Sequence, residues 1–67
     1  MMAVVQERRK LGLSQAALAR KIGANPSSIS RIEAGKEPPW PLRARRIADA
    51  LGWEGDPMEL FEEVEAA

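Results

Sequence analysis

Apolar residues recur along this chain at intervals of three and four, and no stretch alternates for the length of a strand, so the pattern predicts helices throughout. The expected fold class is all-α, a compact bundle of five helices. The first runs from about Ala3 to Leu11, with Val4, Val5, Arg8 and Leu11 near one side and Gly12 as its stop. Ser14 is placed to cap the second, which continues to about Ile22 with Leu18, Ala19 and Ile22 inward and Gly23 at its end. The third has the clearest start: Asn25 can cap, and Pro26 suits the first helical position, where a missing N–H costs nothing. It runs to about Ala34, closed by Gly35. Successive prolines make "KEPPWP" a stiff, non-helical connector. The fourth helix spans Pro41 to Leu51, its buried stripe formed by Ala44, Ile47, Ala48 and Leu51 and its stop by Gly52. Asp56, Pro57 and Glu59 make a box-like start for a fifth helix over about 56–64, with Met58, Phe61, Leu60 and Val64 turned inward; the final "EEVEAA" is expected to fray.

The break "GAN" between the second and third helices is too short for a linker and forces a sharp turn, with Gly23 as its permissive residue. At 100° per residue, Ile29 and Ile32 share one side of the third helix, while Ser27, Ser30 and Arg31 point away and Ser28 and Glu33 flank the boundary. That outward face has no large apolar residue. It offers hydroxyls and one guanidinium to a partner wide enough to admit a helix, and a DNA major groove is about 12 Å across.

Composition narrows the chemistry. The 67 residues make a single domain, 1–67, near the lower size limit for a self-sufficient core. The chain has no Cys, His or Tyr, and its Lys, Asp and Glu lie mostly on exposed helical faces, so neither a metal centre, a cofactor nor an enzyme activity is expected. No apolar run reaches membrane-spanning length, and the N-terminus becomes charged too early for a secretory segment; a cytoplasmic location is expected. The formal net charge of zero conceals an asymmetry. Residues 1–46 hold all ten cations against Glu7, Glu33 and Glu37, a balance of +7, and residues 47–67 hold seven carboxylates and no cation. This polarity suits a polyanion on one side, although two solvated helix faces would account for it as well.

The runs "GLSQAALARKIG" and "NPSSISRIEAGK", followed by "RIADALG", resemble the Cro/repressor-type (XRE-like) helix-turn-helix family from Val4 to about Glu62. In that resemblance Ala19 is the small residue at the helix contact, Gly23 the turn glycine, and Leu18, Ile29 and Ile32 the apolar anchors. The implied fold is the lambda-repressor-like DNA-binding domain, and the implied activity is sequence-specific double-stranded DNA binding by a transcriptional regulator, a repressor. Ser27, Ser28 and Arg31 fall at base-reading positions. Arg31 would bind guanine O6 and N7, with a phosphate contact as its alternative, and Ser28 has an alternative role inside its own helix. Gln15, Asn25, Lys36 and Arg43 are implied or candidate contacts to the DNA backbone; the alternative for Gln15 is a solvated first-turn residue, and a solvated face serves Arg43, Arg45 and Arg46 as well. Arg8 and Glu33 match a structural ion pair between the first and third helices.

The chain departs from the pattern at "EPPWP", where Glu37 would repel phosphate and Trp40 replaces the usual cap. Trp40 is expected to pack as a staple on the fourth helix, or else to lie exposed as a partner contact. Arg45 stands where an apolar residue is usual, which predicts a more exposed fourth helix. The implied partner is a pseudo-palindromic operator bound by a homodimer, with the acidic C-terminal helix as a dimer surface or as simple core. An antitoxin-like or adapter module, binding a protein through that acidic end or through Trp40 and Trp53, is the competing class.

Overall fold

The computed structural model describes residues 1–65. Four α-helices follow in order: α1 (Ala3–Lys10), α2 (Gln15–Ile22), α3 (Pro26–Glu33) and α4 (Pro41–Leu51). A five-residue 3-10 helix, Pro57–Phe61, comes after them, and the described residues contain no strand. Local chemistry sets most of these limits. The Ser14 hydroxyl accepts from the Ala17 amide at 3.0 Å, and Asn25 Oδ1 accepts from the Ser27 amide at 3.0 Å with Pro26 just inside the helix. Each removes an orphan donor from a first turn. Gly23 closes α2 at φ 68°, a left-handed conformation that a side chain disfavours.

One core serves all these elements. Val4 and Val5 of α1, Leu18, Ala19 and Ile22 of α2, Ile29 and Ile32 of α3, and Ile47, Ala48 and Leu51 of α4 form a continuous cluster with Leu60. The molecule measures 28 × 24 × 24 Å. α2 and α3 pack against each other, and the buried Leu18, Ala19 and Ile22 of α2 share one cluster with Ile29 and Ile32, which fixes α3 from behind.

The fifth helix differs from expectation. In place of a helix over about 56–64, the chain makes the 3-10 turn, leaves it at Phe61 and becomes extended at Glu62, φ −87° and ψ 149°. The cause is a partner far away in sequence. The Ala3 amide, an orphan donor at the start of α1, donates to the Glu62 carbonyl at 2.9 Å, and the Val64 amide donates to the Met1 carbonyl at 2.9 Å. Glu62 and Glu63 would also have placed negative charge at the negative end of a longer helix. The stretch expected to fray is thus paired with the N-terminus as far as Val64, and residues 66–67 lie outside the described residues. The tighter winding also changes which residues face inward: Leu60 is fully buried, Phe61 and Val64 are half-buried, and Met58 is exposed.

Trp40 is no staple. Its indole is 66% exposed and makes no capping hydrogen bond at the start of α4. Pro41 already holds the first helical position there, so α4 begins without its help. Arg45 is exposed, and α4 keeps a buried stripe of Ala44, Ile47, Ala48 and Leu51.

Candidate nucleic-acid interface

The turn between α2 and α3 is held by the Ala24 amide, which donates to the Ala19 carbonyl at 2.8 Å. α3 then leaves at an angle set by its buried side: Ile29 and Ile32 retain 1% and 2% exposure. Each buried isoleucine contributes about 1.5–3 kcal/mol, ample to hold one face of an eight-residue helix inward. Ser27, Ser30 and Arg31 consequently lie on the open side, with Ser28 half-buried at its edge. No other part of the described chain seals that face.

At the N-terminal end of α3, the Ser27 hydroxyl donates to Asn25 Oδ1 at 2.9 Å, the same oxygen that caps the helix. Asn25 therefore fixes both the backbone and the hydroxyl of Ser27. With its proton so engaged, Ser27 presents lone pairs outward.

Arg8 and Glu33 are brought together as a bidentate pair, Arg8 Nε to Oε2 at 2.8 Å and Nη2 to Oε1 at 2.9 Å. The remaining Nη1 donates to the Leu13 carbonyl at 2.8 Å. Gln15 Nε2 donates to Glu33 Oε1 at 2.9 Å, a bond that sequence reasoning did not anticipate. One carboxylate thus ties the end of α3 to α1 and to the first residue of α2. The side chains of Arg8 and Glu33 are 9% and 6% exposed, and no buried side-chain nitrogen or oxygen among the described residues lacks a partner. This satisfied network sets the orientation of α3 relative to the start of α2, where Gln15 sits half-buried.

At the other end of α3, the Gly35 amide donates to the Ile32 carbonyl and the Lys36 amide to the Arg31 carbonyl, at 3.1 and 2.8 Å. With Gly35 at φ 75°, this is a Schellman close that folds the connector back over the last turn. It leaves Lys36 exposed and returns Glu37 toward the open face of α3, where its Oε1 accepts from Arg31 Nε and Nη2, both at 3.3 Å. The six-residue separation has no helical periodicity, so nothing in the pattern of the chain signals this pair. Beside it, a groove of about 380 Å³ between α3 and α4 is lined by Ser28, Glu37, Trp40, Leu42, Arg43 and Arg46 among others. Arg43 is half-buried there, and Arg46 is exposed.

Comparison with known proteins agrees with this geometry. A family model described as "Helix-turn-helix domain" matches residues 5–61. The chain is 42% identical over 55 residues to an uncharacterized HTH-type transcriptional regulator of Methanothermobacter thermautotrophicus, covering 81% of this chain and 80% of the relative. No solved structure matches the chain. The turn at Gly23, the buried Ala19 and the isoleucine-anchored α3 lie inside the matched span, and this chain belongs to the XRE-like helix-turn-helix family.

Proposed function

We propose that this protein is a sequence-specific, double-stranded DNA-binding transcriptional regulator, a repressor, that lays α3 in the major groove and works in the cytoplasm as a binding module without catalysis. The observation that carries the reading is the two-sidedness of α3: buried Ile29 and Ile32 behind, exposed Ser27 and Arg31 in front. Membership of the helix-turn-helix family and the regulator name of the 42% identical relative support it. Arg31 reads a guanine, Ser27 accepts from an exocyclic amine, and Ser28 contributes at the edge of the face. Gln15, Asn25, Lys36 and Arg43 hold phosphates. A lone module covers few base pairs, so the working form is a homodimer on pseudo-palindromic half-sites about one helical turn apart.

The test is selection of bound sites from a random duplex pool, followed by titrations across salt concentration. Affinity should fall steeply with salt as counterions compete. Arg31→Ala should cost roughly 1–3 kcal/mol at one base pair of the selected site and relax the preference there. Lys36→Ala should weaken all duplexes about equally and lower the salt slope by about one. Duplex affinity indifferent to salt would sink the regulator reading.

A second reading, an antitoxin-like or adapter module, draws on Trp40 and Leu42, whose 66% and 65% exposure makes them the most open large apolar residues among the described ones. It is favoured if Trp40→Ala leaves duplex binding intact and abolishes association with a protein partner.

A further inference from the structure

We propose that Glu37 is a positioning residue for base reading, holding the Arg31 guanidinium by one edge so that its other edge is set for a guanine. The inference deepens, and rests on, the reading of α3 as the DNA-reading helix. Sequence alone casts Glu37 as a repulsive intruder beside phosphates; its geometry gives it a second role.

The guanidinium is a flat fork with distinct hydrogen-bonding edges. Glu37 Oε1 engages Nε and Nη2, which together form the side edge, at 3.3 Å each. The end edge, Nη1 with the outer hydrogen of Nη2, is the one left for O6 and N7 of guanine. Arg31 is the sole cation of α3 and its side chain is 49% exposed, so without a fixed neighbour it would sample many rotamers before docking.

Glu37 is suited to act as that neighbour. Its side chain is the more sheltered of the two at 30% exposure. Its backbone is constrained on both sides, by the Schellman close at Gly35 and by Pro38, which restricts the residue before it. The carboxylate is thus delivered from a stiff connector, not from another long mobile arm. The arrangement has a cost: a negative charge close to the DNA lowers affinity for every duplex while it sharpens the choice among them.

The experiment compares wild type, Glu37→Gln, Arg31→Ala and the double variant on two duplexes, the selected site and the same site with the Arg31-read G·C pair replaced by A·T. Glu37→Gln should bind both duplexes at least as tightly as wild type, while the preference between them falls roughly five-fold, a part of the discrimination one bidentate contact supplies. In the Arg31→Ala background the same change should leave the preference untouched. Independently of DNA, solvent exchange of the Arg31 Nε proton should be slower in wild type than in Glu37→Gln. Equal tightening on both duplexes with the preference intact would overturn the positioning role, and so would equal exchange rates. Arg31→Ala with unaltered preference would instead overturn the assignment of Arg31 as a base reader. If wild type selects no site at all, the regulator reading fails, and the exchange measurement still judges the Glu37 contact.

Discussion

Glu33 accepts three hydrogen bonds on two oxygens while 6% exposed, and each donor belongs to a different stretch from the one that carries the carboxylate. An ion pair this dry gains little over well-packed apolar groups, because desolvation offsets most of the attraction. Breaking it on one side is another matter. Glu33→Ala leaves the Arg8 guanidinium buried with only the Leu13 carbonyl, and should cost about 3–5 kcal/mol. In a domain this small that is comparable to the whole stability, so the variant's urea midpoint should collapse or vanish. Arg8→Met combined with Glu33→Leu should restore most of it. If the double variant is as unstable as the single one, the cost lies in lost orientation and not in a stranded charge. The same residue shows what the chain disclosed in advance. The pairing of Arg8 with Glu33 follows from a family resemblance, whereas the Gln15 bond needs the docking angle of α2 against α3, which no local pattern encodes.

Helix limits were legible wherever capping is local. Ser14, Asn25 with Pro26, and Gly52 each act within four residues, and α2, α3 and α4 begin or end within one residue of expectation. The last segment was misread because its end is decided by Met1 and Ala3, more than fifty residues earlier in the chain. Trp40 was misread for a related reason: a large apolar residue beside a helix start predicts burial only if something lies opposite, and here nothing covers it. Glu37 was legible as a charge and illegible as a contact, since only the backward fold at Gly35 brings it to Arg31. The α2–α3 turn allows a clean test of backbone geometry at this scale. A Cβ at Gly23 would meet nothing within 4 Å, so Gly23→Ala carries a purely conformational cost. The expected loss is about 1–2 kcal/mol by chemical denaturation, with Gly23→Asn milder because asparagine tolerates the left-handed region. A larger loss for alanine would mean that the turn itself has moved, and duplex binding should then fall with it.

At the scale of the molecule, one core cluster runs from Val4 to Leu60, so no helix is stable apart from the rest. Part of the charge polarity is resolved into places: Arg31, Lys36, Arg43 and Arg46 lie on α3, the connector and α4, while Glu62 and Glu63 lie against Met1–Ala3. Those two segments meet. The Met1 carbonyl receives the Val64 amide, and the Met1 ammonium sits 3.1 Å from Glu63. A covalent link between the segment at Met1 and the segment at Val64 therefore asks nothing of the folded backbone, yet it deprives the unfolded chain of its widest excursions. By the entropy of closing a loop of this size, such a ring should gain about 4 kcal/mol, seen as a higher melting temperature with duplex preference unchanged. A meeting of first and last described residues that looks like mere tidying at the edge of the fold is thus a ready-made seam for hardening a very small helix-turn-helix domain.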